Sequence, residues 1–453
     1  MDKKMYTLSY PQKTIWYMEK LYKGSGMTNI CGTVRFKVGV DFELLQKAIN
    51  IFVSANDAMR VKVLEDNGVP YQYIKDHKEF DVKFVDFSNK TKEDFYRWEE
   101  SESKKPIDTS NNELFEFIMI KFSDSEGGYL IKVNHIISDA WSIMLLVSDI
   151  KDIYSGLVYG KFEKYEKPSY LDYIDAEEEY FTSKRYTLDK EYWQDKLKDF
   201  EEVTTLKDNV GDKSFTNATR KTFLIPDKLN KKMKSFCEEN KVSEYALFIG
   251  ALAMYINRVK NKENILFGTS LLNRTGIKEK ETIGMFASTA VPLKVDIKDD
   301  TNFSTFIKEI SKEIMSVLRH QKYPYEEILK IAQNANKATD KIFDIVLNYQ
   351  NAKGTKGVLE QEVPYSTRWN FNGEQIESLI VNVNDRDNEG KLIIDYDFLN
   401  HMFCVKEIEF LHQHIVNILW HALDNPEKLI SKLEMLSEAE KNQILFEFNN
   451  TTC

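Results

Sequence analysis

The stretch Lys132-Val133-Asn134-His135-Ile136-Ile137-Ser138-Asp139-Ala140-Trp141-Ser142-Ile143-Met144-Leu145-Leu146 changes periodicity within a few residues. Tyr129 to Val133 reads as a strand. Beyond the turn, Ile143, Leu146, Val147, Ile150 and Tyr154 stand at i, i+3, i+4, i+7 and i+11, one face of a helix. The strand thus delivers a histidine to a tight turn, and an aspartate follows at the helix entrance. A strand end is held rigidly, so the His135 imidazole can be aimed into a cleft. Asp139 can turn onto an arginine or cap the helix. The same spacing also suits a core histidine beside an ordinary capping aspartate, because HxxxD is short.

Outward from this turn, both halves of the chain mix strands and helices. Ile15, Trp16 and Met18 belong to a first helix; Val34, Phe36, Val38 and Val40 alternate as a half-buried strand; Phe42–Val53 is an amphipathic helix. Strands are expected at Arg60–Leu64 and Phe115–Phe122. An acidic helix over Tyr170–Leu197 leads to a polar junction over Phe200–Thr219. The pattern then restarts, with a strand at Lys221–Ile225 and Pro226 opening a helix. Ser243 caps an apolar helix reaching Val259. Strands follow at Ile265–Leu271 and Ala290–Val295, a helix at Phe303–His320, three strands in FDIVLNY, SLIVNVN and KLIIDYDF, and a helix at Val405–Leu423. Lys353–Gln375 reads as a long polar loop.

With 453 residues the chain is too long for one compact core. Its 42% hydrophobic and 30% charged residues exclude a mostly disordered chain, and a net charge of −10 without a basic tract disfavours nucleic acid. Cys31, Cys237, Cys404 and Cys453 are far apart, which argues against a zinc site or a disulfide framework and fits a reducing cytoplasm. The longest apolar run, Tyr245–Ile256, is 12 residues, against ~20 for a membrane span. No GxGxxG, GxxxxGK[ST], GxSxG or HExxH occurs. His412, His414 and His421 read as packing or surface residues, and no metal site is expected.

KVNHIISDAWSIMLL resembles the HHxxxDG core motif of nonribosomal peptide synthetase condensation domains. Six further segments resemble that family's motifs in the family's order. They are LSYPQKTIWYMEKLY, ANDAMRVKV, PSYLDYIDAEEEY, IGMFASTAVPLKV, RHQKYPYEEIL and KIFDIVLNYQN. EMLSEAEKNQILFEFNNT looks like the junction into an adenylation domain. Three positions depart from the pattern: Asn134 stands for the first His, Ala140 for the Gly and Ser288 for the usual Asn.

The resemblance implies an α/β fold of two chloramphenicol-acetyltransferase-like lobes, about 1–175 and 176–453. They form a V-shaped pseudo-dimer with a central tunnel, a floor loop near 283–292 and a latch within about 354–386. His135 would act midway along the tunnel. Asp139 would pair with the second motif's arginine, here Arg60, to hold the His-bearing turn. Asn134, Ala140, Trp141, Ser288, Asn348 and Gln350 are candidates for lining the tunnel. Trp141 reads more readily as an anchor for the following helix, and Asn348 and Gln350 could equally serve edge-strand hydrogen bonding. The implied reaction joins an acyl thioester to the amine of a carrier-bound aminoacyl thioester. Substrates would arrive on phosphopantetheine arms of carrier proteins or as acyl-CoA, with no cofactor held by the domain and no membrane or nucleic acid as partner. Met1 directly before the first motif and the segment SGMTNICGTVRF resemble the starter type, which N-acylates the first amino acid with a fatty acyl group. An elongation domain joining peptidyl and aminoacyl thioesters, or a non-catalytic recruitment module, are the alternatives.

Overall fold

The computed structural model describes residues 4–110, 112–207, 214–350, 363–385 and 391–447. The first lobe opens with β1 (Tyr6–Thr7), α1 (Tyr10–Leu21), β2 (Asn29–Phe36) and α2 (Phe42–Ala55). Then come β3 (Val61–Asp66), β4 (Val69–Ile74), β5 (Lys83–Asp86) and α3 (Lys92–Ser103). β6 (Phe115–Ser123), β7 (Glu126–Asn134) and α4 (Ala140–Val158) complete it. The expected acidic helix is two helices, α5 (Leu171–Phe181) and α6 (Lys184–Leu197), because Ser183 caps a new start. The second lobe begins with β8 (Ala218–Leu224), α7 (Asp227–Asn240), α8 (Glu244–Lys260), β9 (Asn264–Leu271) and α9 (Ile277–Glu281). It continues with β10 (Ser288–Asp296), α10 (Phe303–Arg319), α11 (Tyr325–Ala335) and β11 (Ile345–Gln350). β12 (Tyr365–Asn370), β13 (Leu379–Asn384), β14 (Ile393–Leu399) and α12 (Val405–Asp424) follow.

The first lobe is built on the five-stranded sheet β12-β2-β7-β6-β5, the second on the six-stranded sheet β10-β9-β11-β13-β14-β8. β7 is central in its sheet, so both faces are covered and the strand is buried along almost its whole length. Tyr129, Ile131 and Val133 face a core shared with α2 and α4, while Leu130 packs with Phe87, Phe95 and Ile120 beneath α3. The expected helix face of Ile143, Leu146, Val147, Ile150 and Tyr154 is buried in that same core, each side chain contributing about 1.5–3 kcal/mol. β2 ends at Phe36, so the expected extension through Val38 and Val40 is not strand.

Two large cores result. One runs from Leu8 to Ile174 and the other from Trp193 to Leu433. Four residues cross over: Ile283, Met285, Phe286 and Val363 pack into the first core. The expected polar loop over 353–375 also needs correction. Its residues 353–362 lie outside those described, but Tyr365–Asn370 is strand β12, antiparallel to β2 of the first lobe. Trp369 packs directly against Gly32, where a Cβ would come within 2.3 Å of the indole. Arg368 brings its Nε to 3.1 Å from buried Glu99 and lies over the Tyr96 ring. This crossover falls in the span expected for the latch, of which 354–362 and 386 lie outside the described residues. The two-lobed α/β arrangement implied by the resemblance is the fold found.

Candidate functional site

His135 leaves the end of β7 in a single 3₁₀ turn, His135–Ile137, and is half-buried. Its backbone N–H donates to the Thr28 carbonyl at 2.7 Å. Its Nδ1 lies 3.1 Å from the Ser138 carbonyl oxygen. A carbonyl only accepts, so Nδ1 carries the proton of the neutral ring and Nε2 keeps a lone pair. Burial pulls the imidazole pKa below its ordinary 6.5; the Asp139 charge and the Ser138 carbonyl push the other way without overcoming it. The ring is therefore neutral and basic at Nε2 near pH 7.

Asp139 performs both roles that the spacing allows. Its Oδ1 caps α4 by accepting from Ser142 N at 2.8 Å, and its Oδ2 receives an arginine together with the Phe286 and Ala287 N–H groups, both at 3.1 Å. Burial alone would raise this carboxyl, but the arginine's charge and the hydrogen bonds from that arginine, Ser142 and Phe286 hold it below the ordinary value. The arginine is Arg274 of the second lobe, not Arg60. Arg60 donates instead to the Lys75 carbonyl, at 2.8 Å, beside the β3–β4 hairpin. The expected Arg60–Asp139 pair is therefore corrected. Substitutions Arg60→Ala and Asp139→Ala should add within about 0.5 kcal/mol in denaturant melts; a larger coupling would mean that the two side chains meet after all.

Arg274 is wholly buried, and all three of its guanidinium nitrogens donate. Nη2 reaches Ser142 Oγ (2.7 Å) and the Thr282 and Gly284 carbonyls (both 3.3 Å), Nε reaches the Glu279 carbonyl (3.0 Å), and the plane lies 4.0 Å from the Phe286 ring centroid. Nothing local in Leu271-Leu272-Asn273-Arg274-Thr275-Gly276 announces this role; the usable signal is that Asp139 needs an arginine and that one stands just past a strand end. Asn273, in the left-handed region at φ 52°, re-aims the chain there, and its Nδ2 donates to the Phe286 carbonyl at 3.0 Å.

The segment around Gly284 closes the site from the second lobe. Ser142 Oγ donates to Gly284 O at 2.7 Å and accepts from Gly284 N at 3.0 Å, and Tyr170 OH donates to the Met285 carbonyl at 2.7 Å. A Cβ on Gly284 would fall 2.2 Å from the Tyr170 ring, whose hydroxyl is also 3.1 Å from Ser9 Oγ. Neither side can retreat without breaking hydrogen bonds. Gly284→Ala should therefore cost about 1–3 kcal/mol, read as a lower melting temperature. An unchanged melt would mean that this loop is not clamped. The span expected for the floor, 283–292, is thus loop to Ala287 and strand β10 beyond.

The tunnel candidates separate. Asn134 is fully buried and spent on the protein. Its Nδ2 donates to Glu19 Oε1 (2.7 Å) and Thr28 Oγ1 (3.1 Å), and its Oδ1 accepts from Ile136 N (2.9 Å), so it braces the turn and lines nothing. Ala140 is exposed at the start of α4. Trp141 donates its indole N–H to the Lys280 carbonyl of the second lobe at 2.8 Å. Ser288 begins β10 opposite Leu271, and its side chain lies outside the described residues. Asn348 and Gln350 are on β11, third in its sheet rather than at an edge. Asn348 bonds Asn382 Oδ1 and Ser270 N, and Gln350 faces Asn384; none of these bonds brings either side chain to His135. His412 is a packing residue, stacked on Phe223. A cavity of about 490 Å³ lies among Tyr180, Arg185, Arg319 and Lys322 and includes no site residue predicted from sequence. Among the described residues no cluster of three or more His, Cys, Asp or Glu could hold a metal, and no helix is long and apolar enough to cross a membrane.

A condensation-domain family model matches residues 2–445. Surfactin synthase subunit 1 of Bacillus subtilis (strain 168) is 34% identical over 451 residues, covering 98% of this chain and 12% of its own length. A plipastatin synthase of the same organism is 29% identical over 454 residues, covering 100% of this chain and 18% of its own length. The chain thus spans under a fifth of either relative. Of solved structures, an arginine-to-alanine variant of the starter condensation domain of rhizomide synthetase, in complex with C8-CoA, superposes with a TM-score of 0.84 at 18% identity, covering 95% of this chain and 98% of that one. The first condensation domain of the calcium-dependent antibiotic synthetase does so at 0.84 and 16%, covering 96% and 99%.

Proposed function

The chain belongs to the condensation-domain family, and from that premise we propose that it N-acylates a carrier-bound aminoacyl thioester with a fatty acyl group, as a starter domain of a nonribosomal peptide synthetase in the cytoplasm. The observation that carries the chemistry is the Ser138 carbonyl on His135 Nδ1, which leaves Nε2 as the acceptor. The aminoacyl amine, with an ordinary pKa of about 7.7–8.0, is partly neutral at pH 7 and attacks the donor carbonyl. As the C–N bond forms, His135 Nε2 takes the amine proton. The C–S bond then breaks, and the proton passes to the leaving thiolate, giving an amide and a free thiol. The thiol belongs to a carrier's phosphopantetheine or to coenzyme A, and departs with it. Arg274 and Asp139 hold the turn and do not touch the reacting atoms.

The fatty donor is supported by the starter-like segment Ser25–Phe36 and by the C8-CoA held in a starter domain of this fold. The acceptor carrier protein and an adjacent adenylation domain complete the partners in this proposal. The test sets acyl-CoAs of graded length against a peptidyl thioester for one aminoacyl-loaded carrier, read by intact mass. Each added methylene should improve selection up to about fourfold, from ~0.8 kcal/mol per buried CH₂, until the pocket ends. Preference for the peptidyl donor without length dependence would make this an elongation domain; no amide with any donor would make it a recruitment module.

A further inference from the structure

The His-bearing turn is gripped by the second lobe at both ends. At Asp139 the grip is Arg274. At His135 it is indirect and comes from the chain just after the crossover strand β12. Asn372 Nδ2 donates to the Gly26 and Met27 carbonyls at 2.9 and 3.1 Å, and Glu374 Oε2 accepts from Gly26 N at 2.9 Å. Asn372 Oδ1 in turn accepts from Glu374 N at 3.0 Å, fixing the two side chains relative to each other. This segment is tied to the second-lobe sheet, with Ala218 N donating to the Gly373 carbonyl at 2.8 Å and Gln375 N to the Thr216 carbonyl at 2.9 Å. Gly26–Thr28 then leads directly to the catalytic turn: the Thr28 carbonyl receives His135 N at 2.7 Å, and Thr28 Oγ1 and Glu19 share the Asn134 amide.

We propose that Asn372 and Glu374 are positioning residues for His135, transmitting the second lobe's position through Gly26–Thr28 to the backbone of the histidine. The relay rests on the functional reading above, in which His135 Nε2 accepts the amine proton. It works because each link is a backbone group held by a directional hydrogen bond. A sub-ångström shift of Gly26 therefore moves the Thr28 carbonyl and swings the imidazole.

The experiment uses the whole domain with a loaded acceptor and an acyl-CoA donor. Asn372→Ala and Glu374→Ala should each lower kcat about tenfold with KM within about twofold, in a domain that still melts cooperatively at a slightly lower temperature. Glu374→Gln keeps an acceptor for Gly26 N–H and should recover most of the rate. In a His135→Ala background Asn372→Ala should have no further effect; an undiminished tenfold loss there, or a loss confined to KM, overturns the relay. A second readout needs no turnover. With ¹⁵N-histidine labelling, the His135 ring signals, assigned by their absence in His135→Ala among the 7 histidines, should shift in Asn372→Ala. Unmoved signals overturn the relay even in an inactive protein. Wild type without amide formation but with a shifting His135 signal overturns the functional reading alone.

Discussion

Replacing His135 by alanine should lower amide formation by about 10²–10⁴ while leaving the melting temperature nearly unchanged. The stability side follows from the turn's own bonds: the His135 N–H to Thr28, the Asn134 cap and the Asp139 cap all remain, and only the Nδ1 contact with Ser138 is lost. The rate side follows from removing the one base that the turn presents. Because burial depresses the imidazole pKa, the wild-type rate should be level across pH 7–8 for a fixed neutral-amine fraction and fall only as pH drops through a value below 6.5, where Nε2 becomes protonated. A fully active alanine variant, or a rate that still climbs with pH above 7 after that normalisation, would reduce the site to proximity catalysis.

Arg274→Ala should cost about 3–5 kcal/mol, the largest stability loss of the changes considered. It removes the cation facing a buried carboxylate and strips donors from Ser142 and from the Glu279, Thr282 and Gly284 carbonyls. Lysine should not restore it, since one ammonium cannot supply that fork. Adding Asp139→Asn to Arg274→Ala should cost less than the sum of the singles, measured by denaturant melts; additivity would mean that the pair is energetically idle. The pH dependence has a definite sign. The folded-state pKa of Asp139 is depressed, so its contribution is complete above the unfolded value near 3.9 and is lost as pH falls through the lower folded value. Arg274→Ala should accordingly flatten the acid limb of the stability curve.

How much of this is legible in the sequence depends on whether a residue's partner is near in the chain. The period-3.6 run Ile143–Tyr154 shows its burial directly, because periodicity encodes which face meets a core, whereas Tyr129–Val133, covered on both faces, shows itself as an apolar stretch broken only by Lys132. The capping half of Asp139 is readable for the same reason, Ser142 being three residues away. Its arginine is not: Arg274 lies 135 residues on, and the nearer motif arginine, Arg60, is the wrong choice. β12 escapes a reading by pattern because Tyr-Ser-Thr-Arg-Trp-Asn carries no alternation; it is an outer strand whose specificity comes from Trp369 on Gly32, a contact only the folded sheet creates. Asn134 reads as a ligand-facing polar group and is a buried brace, since the partners of its amide lie on α1 and the chain before β2.

The crossover strand also sets a schedule for synthesis. β2 leaves the ribosome early, but the strand that covers its open edge is made about 330 residues later, which at ~5–20 residues per second is tens of seconds. Through that interval the nascent first lobe carries an unpaired ladder beside Gly32, the kind of edge that recruits foreign strands. Chaperone demand and inclusion-body formation should therefore track the delay between β2 and β12. Supplying a peptide spanning residues 363–372 in trans during translation should raise the soluble yield of a chain stopped before β12.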